Sequence, residues 1–321
     1  MTAELIAAIV ENPDEPHVWN VYADWLLDQG DPRGEWIRAS LESSDERVAT
    51  TPMIDDRMLL SPRLAEQWHL LQLDWWRGFI RGAGLTGAMD DPPTGETIEA
   101  LFADPHAALL SNFSLAHAIT ATVPLWRVLV AEPRPTVRSL VASNLGDGGA
   151  LLDALSKLET LHLESNERFA PQAPPPTVPV ERLVHGNLRE LVASEHECPA
   201  AITGDVQTPN LETLDWAVPM FRGPDRDERA LFTTPTSMLF HPPPRLRRLD
   251  VDDVPLELII DLPVFAQLNA LGWRGGCDRV LELAPRLQHL ESLSFGMAQI
   301  DRKSTRLNSS HQCLSRMPSS A

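Results

Sequence analysis

Glu195-His196-Glu197-Cys198 is the densest run of side chains in this chain able to hold a metal or move a proton. Successive side chains on an extended segment point to opposite faces, so four neighbours do not converge on one ion. No second cluster at zinc-finger or zincin spacing completes the set, and the run reads as a solvated turn after a strand. Asp24, Asp28, Asp31 and Glu35 form a second acidic group. Asp24 and Asp28 lie four apart on one helix face, where like charges repel and water is the natural neighbour. Asp31 is suited to cap the helix that follows, and Arg33 to pair with Glu35. A docking surface built on Asp24, Arg33 and Arg38 is the functional alternative for the same stretch. Gly146-Asp147-Gly148-Gly149 lacks the Lys and hydroxyl that cradle a phosphate, and reads as a turn. No P-loop, nucleophile elbow or dinucleotide fingerprint occurs. The expectation is a chain with no catalytic residue, no cofactor and no metal.

The polar residues that remain of interest are those a repeated strand would display. An apolar-x-x-Leu-x-apolar phrase occurs seven times between Val137 and Phe295. Its central Leu is residue 140, 161, 191, 214, 249, 271 and 293 in turn, at intervals of 21, 30, 23, 35, 22 and 22 residues. That phrase and period resemble leucine-rich repeats, in which each copy supplies one strand of a parallel sheet and a return segment. The resemblance implies an α/β solenoid with helical or irregular returns. Its Leu positions point inward, and the residues beside the second Leu point out. The outward set includes His162, Glu164, Glu190, Asp215, Arg248, Asp250, Asp252 and Arg274, five carboxylates against two guanidiniums. A stacked acidic stripe of this kind would attract a basic protein partner.

Several returns can be sketched from composition. Residues 149–158 and 278–287 suggest short helices, and Asn166 stands where such repeats place an inward, turn-bonding Asn. Two returns are swollen. Residues 169–180 are proline-rich, and residues 219–244 carry Pro224, Pro235 and Pro242-Pro243-Pro244 around a charged run. Both read as projecting loops.

Ahead of the repeats, Leu5, Ile6, Ile9 and Val10 predict a first helix stopped at Asn12-Pro13. Val18, Val21, Tyr22, Trp25 and Leu26 predict the apolar face of a second, ended by Gly30. Asp31-Pro32 opens a third through Trp36, Ile37 and Leu41. Tyr22-Ala23-Asp24-Trp25-Leu26 followed by Gly30-Asp31-Pro32-Arg33-Gly34-Glu35-Trp36-Ile37-Arg38 resembles the repeat-companion domain, a small module preceding repeats in planctomycetes and myxobacteria. The resemblance covers residues 1–42 and implies a lineage and an all-α front domain, with no reaction attached. Residues 43–60 are polar and read as a linker. Residues 63–76 predict a helix through Leu64, Trp68, Leu71 and Trp75, and residues 78–85 the first strand, the pair serving as an N-terminal cap. Residues 97–102 and 109–119 suggest a degenerate early repeat. The six tryptophans between Trp19 and Trp76 read as core or cap residues.

The chain carries a formal charge of −18. Residues 301–311 and 315–321 resemble the back-translation of a sequencing-library adapter, with Gln312-Cys313-Leu314 where a sample barcode sits. Residues 301–321 are therefore expected to be non-native, and the repeats to continue past Ile300. Setting aside the four basic residues and Asp301 of that tail takes −18 to −21 for residues 1–300. Such acidity repels nucleic acid and anionic membranes. With the tail removed only Cys198 and Cys277 remain, too few for a disulfide scaffold. No secretory signal or apolar span is visible, so a cytoplasmic location is expected. The leading expectation is a non-enzymatic module binding a protein through its acidic concave face. Its rivals are a regulatory or immunity-type protein acting through residues 1–42, and a substrate-recognition arm of an enzyme whose catalytic part is lost or separate.

Overall fold

The computed structural model describes residues 2–51, 56–86, 94–115, 131, 136–143, 152–164, 182–193, 205–217, 241–252, 256–274 and 280–295. The chain is mixed α/β, with a helical N-terminal segment and mostly parallel strands. It divides into two compact units, Met1–Ser143 and Asn144–Ala321.

The first unit opens with α1 (Thr2–Glu11), α2 (Pro16–Asp28) and α3 (Arg33–Glu42). The buried face of α2 is Trp19, Tyr22, Ala23 and Leu26, the i, i+3, i+4, i+7 stripe. This face is rotated from the predicted one, since Val21 is 53% exposed and Val18 and Trp25 are only half-buried. Trp19 fixes the rotation, its indole N–H donating to the Pro13 carbonyl at 2.7 Å. Gly30, at φ 73°, ends α2. Its N–H bonds the Leu27 carbonyl while the Asp31 N–H reaches Leu26, both at 2.9 Å, closing the paired bonds of a left-handed helix stop. At Gly34 a Cβ would stand 2.6 Å from the Ala23 carbonyl oxygen and from Leu27 Cγ, so α3 lies directly on α2. The core of this helical segment also contains Phe79 and Leu109.

Within the polar stretch 43–60, the described residues include a short helix, α4 (Glu46–Thr50). The Trp36 indole donates to Val48 O at 2.7 Å, and Arg77 N donates to Ala49 O at 2.8 Å. After α5 (Pro62–Glu66) and a 3-10 turn at Trp68–Leu70, the chain runs as β1 (Leu71–Trp76). The helix expected over residues 63–76 is thus cut short. Leu64, Trp68, Leu71 and Trp75 fit a helical period. Leu71, Leu73 and Trp75 equally fit the two-residue period of a strand, and antiparallel pairing with β2 (Phe79–Leu85) decides for the strand. α6 (Gly95–Ala103), closed by a reciprocal Thr94–Thr97 capping box, leads to β3 (Asn112–Ser114). β3 lies parallel between β2 and β4 (Ser139–Ser143), so that Ala83, Phe113 and Leu140 form one buried row.

The second unit is built on β5 (Thr160–Glu164), β7 (Glu190–Ala193), β9 (Thr213–Ala217), β10 (Arg248–Asp252), β11 (Ala270–Arg274) and β12 (Ser292–Phe295), parallel and paired in that order. β6 (Arg182–Val184) and β8 (Asp205–Gln207) pair in a separate two-stranded ribbon on the return segments. The register aligns Leu161, Leu191, Leu214, Leu249, Leu271 and Leu293. Five of these are at most 3% exposed, Leu293 on the last strand being the sixth. The leading apolar residues Leu158, Leu188, Leu211, Leu246, Leu268 and Leu290 are buried in the same way. Each such side chain contributes about 1.5–3 kcal/mol of transfer free energy.

Just before each strand one carbonyl accepts two successive N–H groups of the next repeat. Glu159 O bonds Arg189 N and Glu190 N, and the pattern recurs at Arg189, Glu212, Arg247 and Asn269, at 2.8–3.1 Å. Side chains add stitches between turns: Asn187 to Ser156 O at 2.8 Å, Asn210 to Gly186 O at 2.6 Å and Gln267 to Pro243 O at 2.9 Å. Asn166 lies outside the described residues, and these turn-bonding amides stand before the strands instead of after them. The returns carry residues 152–154 as helix, α7 (Leu256–Ile260) and α8 (Val280–Leu283), with 3-10 turns at Pro263–Gln267 and Ala284–Leu287.

Candidate functional site

The alternation of the strands sets one face of the second unit's sheet in rows. Thr160, Glu190, Thr213, Arg248, Ala270 and Ser292 make the first row. His162, Val192, Asp215, Asp250, Gly272 and Ser294 make the second. Ala217, Asp252 and Arg274 share the third, with Glu164 ending β5 one residue beyond its last aligned pair. All eight residues expected to face outward therefore lie on one sheet. For Glu164 and Asp252 the backbone position alone is described.

The middle of this face is a charge cluster and not a uniform acidic stripe. Asp215 and Asp250 are paired neighbours, about 4.8 Å apart along the hydrogen-bonding direction. Arg248 closes on Asp250, its Nε donating to Oδ2 at 2.6 Å and its Nη2 to Oδ1 at 3.2 Å. The Asp250 carboxylate leans over β11, where Gly272 leaves it room. A Cβ there would meet Asp250 Oδ1 at 1.8 Å. Among the described residues Asp215 has no such fork. Burial pushes its carboxyl pKa up and the Asp250 charge pushes it further, against the weaker pull of Arg274, His162 and Arg248. Arg248 is held above its ordinary value, first by its bonds to Asp250 and then by that carboxylate's charge. The face thus combines one satisfied ion pair with a half-buried carboxyl whose charge is under-compensated.

A second polar assembly, in the first unit, was not legible in the sequence. Arg33 does not pair with Glu35. Its Nε donates to both carboxylate oxygens of Asp31 at 2.9 Å, and its Nη2 to Oδ2 at 2.5 Å. Asp31 also accepts the Arg33 backbone N–H at 3.0 Å, which realises the expected capping role at the start of α3. The remaining terminal nitrogen of Arg33 bonds His106 Nε2, and the Tyr22 hydroxyl feels the charge of the same guanidinium. His106 Nδ1 bonds Asp104 Oδ1 at 2.7 Å, while Asp104 accepts the backbone N–H groups of His106 at 2.9 Å and Ser61 at 2.8 Å.

Because an arginine can only donate, Nε2 of His106 is the acceptor and Nδ1 carries the proton. A carboxylate behind a histidine is the layout of a general base. Here, however, the nitrogen that would take a substrate proton is already occupied by Arg33. The assembly is a cross-brace holding α3 to the segment at Pro105–Leu109. Burial opposes ionisation of Asp104, but the His106 ring, the Ser61 N–H and the His106 N–H outweigh it and hold the carboxyl below the usual range. Asp31 behaves alike, burial being outweighed by the bonds from Arg33. The one local signal in the sequence is Asp104-Pro105-His106, an acidic cap before a proline-led turn.

Asp24 pairs with Arg38 on the exposed side of α2 and α3. With Arg33 turned inward, the Asp24, Arg33 and Arg38 surface reduces to that pair. Among the described residues, no group of three or more His, Cys, Asp or Glu side chains converges closely enough to hold a metal ion. No helix among them is long and apolar enough to cross a membrane. Glu195–Cys198, Gly146–Gly149, residues 169–180, most of residues 219–244 and the tail at 301–321 lie outside the described residues. No protein-family model and no curated protein matches this chain.

Proposed function

We propose that this chain is a leucine-rich-repeat solenoid fronted by a repeat-companion segment, and that it serves as a non-enzymatic, cytoplasmic protein-binding module. The solenoid reading is supported by the in-register leucine rows and by the carbonyl that pairs with two N–H groups at five successive turns. Repeats stacked in this way present extended surfaces suited to macromolecular ligands.

The observation that carries the binding reading is Asp215, half-buried and in register with Asp250, while the bonded fork of Arg248 goes to Asp250. A partner's Lys or Arg side chain laid across this row would add to the weaker pull that Arg274, His162 and Arg248 already exert on Asp215, which lacks the bonded fork that Arg248 makes to Asp250. Glu190 in the row beside it, with Glu164 and Asp252 at the far ends of their strands, extends the same attraction along the sheet.

The experiment is quantitative affinity capture with the intact chain and with an Asp215→Lys, Asp250→Lys, Asp252→Lys variant. Captured partners should be basic and should fall at least tenfold in the variant. The wild-type interaction should also weaken steeply between low and physiological salt. An unchanged partner set, with the variant folded as judged by its circular dichroism, defeats the reading. Deleting residues 1–42 is the wrong control here, because Phe79 and Leu109 share the core of α1–α3.

A further inference from the structure

The β1–β2 hairpin carries two backbone irregularities, and each falls on an arginine. Its loop is the two-residue turn Arg77-Gly78, with φ of 50° and 77°. Left-handed angles at both central residues are the hairpin geometry normally given to Asn-Gly. Arginine at the first position is an unforced departure from that preference. Four residues on, the pairing slips. Asp74 faces Gly82 while Trp75 faces Ile80, which leaves Arg81 as the extra residue of a bulge. Bulges re-aim the side chain they carry and recur beside functional sites.

Both irregularities deliver a guanidinium to one indole. Arg77 lies 4.6 Å from the Trp76 ring centre and 5.2 Å from that of Trp19, and Arg81 lies 5.8 Å from Trp76. Trp19 in turn meets Trp76 edge-on at 5.0 Å, so the rings that receive the arginines are themselves braced. Trp19 is fully buried, and Trp76 packs against the core of α1–α3.

Among the described residues neither guanidinium has a partner of opposite charge. No carboxylate there comes within ion-pair distance of Arg77 or Arg81, although acidic side chains outnumber basic ones 45 to 27 in this chain. Arg77 Nε is buried with no hydrogen-bond acceptor. Burial lowers the Arg77 pKa, with Asp14 close enough to oppose this by its field alone. Six other arginines are spent on carboxylates: Arg33 on Asp31, Arg38 on Asp24, Arg47 on Asp45, Arg63 on Glu99, Arg248 on Asp250 and Arg286 on Asp261. Two guanidiniums over one indole, Arg77 half-buried and Arg81 exposed, suit a planar or tetrahedral oxyanion, which a guanidinium can grip in bidentate fashion.

We infer that Arg77, Arg81 and Trp76 form an oxyanion-binding site for a carboxylate or phosphate group presented by a partner. The indole holds both guanidiniums beside it, the anion supplies the opposite charge that neither meets in an ion pair, and the exposed Arg81 closes over it. The site lies in the first unit and does not depend on the charged sheet face of the second.

The test titrates the full chain with three probes: inorganic phosphate, a Glu-rich hexapeptide and a phosphoserine hexapeptide. Tryptophan fluorescence and calorimetry provide the readout. At least one probe should bind saturably and perturb indole emission, and which one binds tightest identifies the anion as carboxylate or phosphate. Arg81→Glu should weaken that binding at least tenfold with an unchanged melting temperature, since the side chain is exposed. Arg77→Lys, which keeps the charge but loses the plane, should weaken it about tenfold. Arg47→Glu, at a solvated arginine paired with Asp45, should leave it unaltered. Absence of saturable binding for all three probes, or wild-type affinity in Arg81→Glu, overturns the assignment.

Discussion

Asp104 and Asp215 are both carboxylates withdrawn from water, and the protein treats them in opposite ways. Around Asp104 the fold supplies two backbone N–H groups and a histidine ring, and the carboxyl is held below its usual range. Around Asp215 burial is followed by a second carboxylate, and the carboxyl is pushed up. Directional donors therefore build a structural charge. A charge opposed by its neighbour subtracts from stability instead. The two units place one of each: a closed brace in the first and an open cluster in the second.

The largest expected effect comes from opening the brace. Asp104→Ala leaves the Ser61 N–H and the His106 Nδ1 proton buried without acceptors, and should cost about 3–5 kcal/mol of unfolding free energy, read by urea titration. A core truncation in the other unit, Leu249→Ala, should cost about 2–5 kcal/mol, but its weight lies in packing and its effect should be independent of pH.

Acid titration separates the two carboxylates by sign. Asp104 and Asp31 have folded pKa values below their unfolded value of 3.8, so the stability they add is complete above 3.8 and is lost as pH falls through the folded values. Asp215 has a folded value above 3.8, so its ionisation subtracts stability as pH rises through that value. Asp215→Asn should therefore gain up to about 1 kcal/mol at pH 7, a gain that disappears below pH 3.8. Thermal melts at pH 7 and pH 3 compare the two. A loss at pH 7 would place Asp215 with the structural carboxylates and dissolve the contrast. The smallest effect should follow Gly272→Ala, which displaces the Asp250 carboxylate from above β11 and disturbs its fork with Arg248. Less than about 1 kcal/mol is expected, with a changed Asp250 carboxyl resonance by NMR as the clearer sign.

What could be read from the sequence follows from which forces are local. The leucine phrase repeats, so its inward faces and the outward set from His162 to Arg274 are visible in the amino-acid pattern alone. The β1 strand is not, because Leu71 and Trp75 suit a helix and a strand equally and only the partner β2 distinguishes them. The rotation of α2 turns on the indole of Trp19 reaching Pro13, a contact that a hydrophobic stripe does not contain. The Arg33–His106 brace joins residues 73 apart, and nothing near either residue announces the other. For the sheet face the sequence supplies membership and sign. The distribution of charge, with Arg248 committed to Asp250 and Asp215 left over, depends on the strand register and the gap above Gly272.

The doubled hydrogen bond before each strand has a consequence for how such a chain can change. Glu159 and Arg189 are matched by the same two bonds as Arg247 and Asn269, although the first pair encloses a 30-residue repeat and the second a 22-residue one. The joint fixes where each repeat re-enters the sheet and is indifferent to how far the chain travelled in between. Lengthening a return costs only the slow, logarithmic growth of loop entropy. Insertions can therefore accumulate in the returns while the displayed rows keep their spacing. Foreign segments grafted between the joints should be carried without moving the rows, as cargo hung beneath a rail.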